Sequence, residues 1–230
     1  MRRSIDIDIE VVKDIAGRAA DVVAAAAVAA VAERGRSALA FSGGATPAGM
    51  LTELAARGVP WEQVDVLQVD ERVAPDGHPD RNLTMLQAVF LDRVPAASSY
   101  PMPVTAVDLA AAARDYAAQL EAVCGGVLDL VHLGIGDDGH TASWPPGDPV
   151  VEEETDVAIS GPYQGRVRMT LTPPAVNRAR RILWLISGRE KAWALGRLVR
   201  GEQDIPAARV RRGGSLIICD PAAAATLGGR

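Results

Sequence analysis

Only two cysteines, Cys124 and Cys219, occur in the 230 residues, far apart and each beside apolar neighbours. Neither a disulfide framework nor a zinc ligand set can be built from such a pair, and a reducing cytoplasm suits it. Positive charge is also scarce. The formal net charge is −5, arginine heavily outnumbers lysine, and "RARR" at 178–181 is the only dense basic run. Phosphate backbones demand clustered Lys and Arg, so the composition argues against nucleic acid as a partner, and the run reads as a solvated helix end. Long hydrophobic stretches are missing as well. The longest, Val22 to Ala32, is alanine-rich, bracketed by Asp21 and Glu33, and too short to span a bilayer. No apolar signal core follows Arg2 and Arg3, so neither membrane nor export is expected. A Gly-x-Ser-x-Gly elbow, a Walker loop, a His-Glu-x-x-His pair and a Cys pair at metal spacing are absent too. These gaps disfavour a serine-acyl enzyme and a zinc hydrolase, although scattered Asp and His ligands still leave a metal site conceivable.

What is present is an ordinary soluble composition, 48% apolar and 23% charged, enough for one α/β domain over residues 1–230 with a full core. Strong helix formers run from Val11 to Arg34, with Gly35 as the stop. Short apolar strands are expected at 37–42, 64–70 and 127–134, and later in "RVRMTLT", "RILWLIS" and "SLIICD". Helices are expected from Pro47 to about Arg57, after an Asn82 cap, after an Asp108 cap to about Val123, and in "REKAWALGRLVR", with a short one in "PAARV". "PAASSYPMPV" reads as a linker with a short strand, and the stretch from Pro145 to Gly165 carries the weakest signal. Strands alternating with helices predict a doubly wound, mostly parallel sheet with helices on both faces. Trp184 and Trp193 read as core or core-edge packing.

Ligands of a parallel sheet bind beyond the carboxyl ends of its strands, which singles out three polar loops: 42–47, 70–82 and 134–143. In "SGGATP", Gly43 and Gly44 let the backbone approach an anion at a helix start, and Ser42 and Thr46 add hydroxyl donors. The string "GIGDDGHTASWPP" matches a dinucleotide pattern literally, but Asp137 and Asp138 would repel a pyrophosphate, and Pro145 and Pro146 would interrupt the required helix. The same string suits a hydrolase in which His140 is a general base, with Asp138 or Asp70 to hold its ring. In "DER", Arg72 can donate to developing oxyanion charge. Arg168 and Lys191 can close an anion pocket opposite "SGGATP". Of the other histidines, His132 reads as a hydrogen-bonded core residue and His78 as a solvated loop residue.

Through "FSGGATP", "VDERVAPDGHPDRN", "LDLVHLGIGDDGHTAS", "RMTLT" and "SGREKA", in that order, the chain resembles the 6-phosphogluconolactonases, within the larger group that includes glucosamine-6-phosphate deaminase. The resemblance implies a NagB/RpiA-like α/β fold, no cofactor, and hydrolysis of 6-phosphogluconolactone, a sugar-phosphate lactone, in the oxidative pentose phosphate pathway. It assigns the catalytic imidazole to His140 and the phosphate to Ser42, Gly43, Gly44, Thr46, Arg168 and Lys191. Deaminases of the group carry a glutamate five residues after the histidine, where this chain has Pro145. "TASWPP" also departs from the lactonase Thr-Ala-Ser-Leu-Phe-Pro, which bears on the pocket wall. A sugar-phosphate sensor is the other alternative; such regulators add a DNA-binding region, and the residues before Ser37 hold only a strand-like start and one helix. A cytoplasmic monomer is expected.

Overall fold

The structure is a computed structural model describing residues 7–95 and 97–227; Arg2 and Arg3, and Ala96 of the expected linker, lie outside the described residues. The chain runs β1 (Asp8–Val11), α1 (Ile15–Arg34), β2 (Ser37–Phe41), α2 (Ala45–Ala55), β3 (Val64–Gln68), β4 (Asp70–Arg72), α3 (Asn82–Val89) and β5 (Ser98–Tyr100). It continues through α4 (Leu109–Cys124), β6 (Leu130–Leu133), β7 (Val157–Tyr163), β8 (Arg166–Leu171), α5 (Pro173–Arg178), β9 (Arg181–Ile186), α6 (Ala192–Arg200) and β10 (Ser215–Cys219).

Seven strands form a wholly parallel sheet in the order β1-β10-β9-β6-β2-β3-β5. Every residue of β2 and β3 is buried, and β2 reads accordingly as a nearly continuous apolar run, whereas β3 carries Asp65 and Gln68 among its buried residues. Because side chains alternate across a strand, β2 feeds two cores. Ala38 and Ala40 share one buried cluster with Tyr116 and Leu120 of α4 and Leu195 and Leu198 of α6, whereas Leu39 and Phe41 belong to another with Val23 of α1 and Met50, Leu51 and Leu54 of α2. The doubly wound reading holds for this sheet.

Four expectations give way. The helix expected from Val11 begins at Ile15, where the Asp14 side chain accepts the Gly17 N–H at 2.9 Å; residues 8–11 instead extend the sheet edge beside β10. By length and composition the 20-residue α1, with a mean hydropathy of 1.7, is long and apolar enough to cross a membrane, which the shorter run Val22 to Ala32 concealed. Here it lies along α2 and the sheet and buries Ala19, Ala20, Val23, Ala26, Ala27 and Ala30. The strand "RVRMTLT" does not join the parallel sheet: as β8 it pairs antiparallel with β4 and β7 in a separate three-stranded sheet. The expected strand 64–70 therefore divides at Val69, whose N–H reaches the Phe41 carbonyl of one sheet while its carbonyl accepts the Leu171 N–H of the other. The short helix α5 had no sequence expectation. Trp184 is fully buried, but Trp193 is half-exposed, with the Arg197 guanidinium 4.7 Å over its ring.

The "DER" segment is anchored by its middle residue. Glu71 is completely buried, and its carboxylate accepts the backbone N–H groups of Arg72 (2.8 Å), Asn82 (2.7 Å) and Leu83 (2.9 Å) and the Gln68 amide (3.0 Å). The buried Arg81 guanidinium sits 3.0 Å away as an ion pair. Glu71 thus caps α3, the role expected of Asn82, whose own amide instead donates to the Asp70 carbonyl at 2.9 Å. Truncating Glu71 would leave the buried Arg81 Nε without its carboxylate and several N–H groups unpaired, a loss of about 3–5 kcal/mol, even though Arg81 keeps Asp76 and the Ala74 carbonyl at its other end. Chemical denaturation of Glu71→Ala is expected to show a destabilisation of that size, beyond what a surface carboxylate would cost.

His132, within β6, is fully buried as expected but unbonded: neither ring nitrogen has a hydrogen-bond partner among the described residues. Burial pushes its imidazole down to about 3. Because the unfolded chain protonates near pH 6.5 and the native chain does not, the unfolded state binds the extra proton between these values. Stability from this residue is complete above about pH 6.5 and is lost at about 1.4 kcal/mol per pH unit as the pH falls toward 3. Between pH 6.5 and 5 the wild type is expected to lose about 2 kcal/mol more than His132→Leu, measured by urea unfolding at both pH values.

Candidate active site

β2 and β6 are neighbours, yet the chain leaves them in opposite directions, through β3 and β5 on one side and through β9 and β10 on the other. Such a reversal leaves a crevice at the carboxyl ends of the two strands. The loop after β2 is "SGGATP" and the loop after β6 is "GIGDDGHTAS", so two segments about ninety residues apart must meet there. They line one cleft of about 240 Å³, with Asp70, Arg72 and Asn82 from the β4 region, Arg168 from β8 and Lys191 from the turn before α6. Of the residues singled out in the sequence, Ser42, Gly43, Gly44, Thr46, Asp70, Arg72, His140, Arg168 and Lys191 all line it; Asp138 stands behind His140.

The anion end is built from backbone. α1 and α4 have their first turns capped by Asp14 and Asp108, but α2 follows Gly44, which has no side chain to cap it. Its leading N–H groups and the positive end of its dipole therefore face the cleft without a built-in acceptor. Gly43 is required by close approach, since a Cβ there would overlap the Asn82 side chain. The Ser42 hydroxyl, expected as a ligand donor, donates instead to the His132 carbonyl at 3.1 Å and ties β2 to β6.

At the other end, the Asp138 carboxylate lies 2.6 Å from His140 Nδ1 and also accepts the His140 backbone N–H at 3.1 Å. The network assigns the ring proton to Nδ1, which leaves Nε2 with the lone pair. Burial alone would raise the Asp138 carboxyl, but hydrogen bonds from Tyr163 and His140 outweigh it and hold the group below the usual carboxylate range. Between the two candidates for orienting His140, the contact falls to Asp138. Asp70 is turned elsewhere: its carboxylate accepts the Ser143 hydroxyl at 2.6 Å, and burial raises its affinity for a proton against the opposing pull of Ser143 and Arg168. Trp144, the departure in "TASWPP", does not line the cleft; it is fully buried, with its indole N–H on the Leu171 carbonyl at 2.8 Å.

Arg72 and Arg168 are register partners across β4 and β8. Arg72 is braced by donation to the Asp80 carbonyl at 2.8 Å. Burial, foremost, draws the Arg168 guanidinium below its usual range, with Asp70 opposing and Arg72 adding to the effect. Arg166, two residues earlier on β8, instead pairs with Asp80 at 2.8 Å, and His78 does not line the cleft; its Nδ1 accepts the Asp80 N–H at 3.1 Å. Among the described residues, no three His, Cys, Asp or Glu side chains are placed to hold a metal ion. Sequence reasoning missed Ser143, which lay unremarked inside the histidine loop, and Tyr163, which fell in the stretch with the weakest signal; its hydroxyl is 2.6 Å from Asp138.

The arrangement has counterparts among known proteins. Residues 11–218 match the family model described as glucosamine-6-phosphate isomerases/6-phosphogluconolactonase. A 6-phosphogluconolactonase of Synechocystis is 39% identical over 199 residues, covering 82% of this chain and 83% of that protein. The solved 6-phosphogluconolactonase from Trypanosoma cruzi superposes with a TM-score of 0.87 over 99% of both chains, at 23% identity. A solved monomeric glucosamine-6-phosphate deaminase superposes with a TM-score of 0.82 over 96% of this chain and all of its own, at 21% identity. The fold is thus common to lactonase and deaminase. With the model matched across nearly the whole sequence and the catalytic-type loops in one crevice, the chain belongs to the glucosamine-6-phosphate isomerase/6-phosphogluconolactonase family.

Proposed function

We propose that the chain is a 6-phosphogluconolactonase, hydrolysing 6-phospho-D-glucono-1,5-lactone to 6-phospho-D-gluconate in the oxidative pentose phosphate pathway. The observation that carries this reading is the His140–Asp138 pair sharing one cleft with the uncapped start of α2. The 6-phosphate docks on the N–H groups of residues 43–46, with Lys191 and Arg168 supplying opposite charge. His140 Nε2 takes a proton from water as the oxygen bonds to the lactone carbonyl carbon, and Asp138 stabilises the imidazolium that forms. Arg72 donates to the oxyanion. When the tetrahedral adduct collapses, the ring C–O bond breaks and the imidazolium returns its proton to the departing ring oxygen, giving the 5-hydroxyl and a carboxylic acid that ionises.

A deaminase working through the family's glutamate would need a carboxylate five residues after the histidine, and Pro145 there is buried and carries no proton. A non-catalytic sensor would gain nothing from a carboxylate-oriented imidazole. A reducing cytoplasm suits this reading, in keeping with the two free thiols Cys124 and Cys219.

His140→Asn is expected to lower kcat by about 10²–10⁴ in a pH-stat assay corrected for spontaneous lactone opening, with the fold intact by circular dichroism. Full turnover in that variant, or ammonia release from glucosamine 6-phosphate by the wild type, would defeat the assignment. Lys191→Ala is expected to raise KM about tenfold or more with a much smaller change in kcat, since it loses a charged contact to the phosphate, remote from the reacting carbonyl.

A further inference from the structure

Tyr163 ends β7, just before a tight turn in which Gln164 and Gly165 both adopt positive φ (52° and 79°) and β8 begins. That turn, with a register irregularity between Ser160 and Tyr163, directs the phenol toward the loop after β6. Its hydroxyl is 2.6 Å from Asp138 Oδ2 and 3.1 Å from His140 Nδ1. The carboxylate contact is the shorter and is charge-assisted, so the phenol donates there while Nδ1–H donates to Oδ1. Each Asp138 oxygen is then engaged by a different donor. The ring packs edge-on to His140, with centroids 5.1 Å apart, and carries the Arg168 guanidinium 5.1 Å over its face. Arg168 also donates to the Tyr163 carbonyl and the Gln164 side chain, each at 3.2 Å.

We propose that Tyr163 is a positioning residue for the His140–Asp138 pair, its hydroxyl fixing the carboxylate and its ring fixing the imidazole and Arg168. This rests on His140 being the general base. The charged groups facing the assembly are Asp137 and Asp138 from the loop after β6 and Arg168 from β8. The phenol keeps its proton throughout the working pH range, because burial and the Asp138 hydrogen bond push it up to about 12. It therefore acts as a fixed donor and not as a second acid or base. By drawing charge from Asp138, the donation moderates the attraction between carboxylate and imidazolium, so removing it makes His140 easier to protonate.

Tyr163→Phe keeps the ring and deletes only the hydroxyl. The expected result is a fall in kcat of about tenfold with KM little changed, and an acid limb of the kcat profile displaced upward by about half a pH unit. A nitrogen-detected NMR titration of the His140 ring should show the same upward displacement without any substrate. If the wild type proves not to be a lactonase, the ring titration still decides the positioning role; if it is, turnover and titration must agree. Unchanged kcat with an unchanged titration, or a loss confined to KM, would overturn the proposal. Should Tyr163→Phe fail to fold, difluorotyrosine at position 163, a stronger donor, is expected to move the His140 titration downward, and no movement would overturn it equally.

Discussion

A carboxylate withdrawn from water must be given donors in place of the solvent, and Glu71 meets that demand by gathering them from three places along the chain. Gln68 at the end of the parallel sheet, Arg72 in the small sheet, and Asn82 and Leu83 at the start of α3 are all held to one pair of oxygens. Because Asn82 is fixed there, its side chain lies against Gly43, and the loop after β2 inherits its position from the same carboxylate. The rim of the cleft is therefore set by an acid that does not line it. Breaking the buried interaction would loosen three cleft segments together.

The cleft also shows how a chain of net charge −5 can attract an anion. Arg72 and Arg168 sit opposite one another across two strands, an arrangement that repels unless something lies between or above them. Asp70 supplies part of the answer: it is buried beside both, and the two guanidiniums favour its charged form against the desolvation that opposes it. The remaining positive field, with Lys191 and the open end of α2, points into the cavity, where the low-dielectric walls concentrate it. Local geometry, more than overall charge, sets the electrostatic preference.

Much of this was legible in the sequence. The apolar runs, the Gly35 stop, the Asp108 cap and the placement of polar loops at strand ends follow from local rules, and they located both the doubly wound sheet and the cleft. The second sheet was not legible, because "DER" and "RVRMTLT" look like any other short strands; only their antiparallel pairing separates them from the parallel sheet. Asn82 is a good capping residue in isolation, but it is itself the first residue of α3, and Glu71, eleven positions earlier, accepts the leading N–H groups of Asn82 and Leu83. The choice between Asp70 and Asp138 as the partner of His140 turned on side-chain direction, which spacing does not encode. Tyr163 depended on a hairpin turn whose two positive-φ residues bring a distant phenol back to the loop after β6.

The Gly-x-Gly-x-x-Gly string after β6 has its own explanation in this geometry. A Cβ at Gly136 would occupy the space taken by the His140 imidazole, and one at Gly139 would run into Ile205 while its φ is 84°. The spacing that elsewhere admits a pyrophosphate here makes room for an aromatic ring folded back over its own loop. A motif scan that scores only letters would file this chain with the dehydrogenases, and would do so because of the very residues that leave no room for the nucleotide.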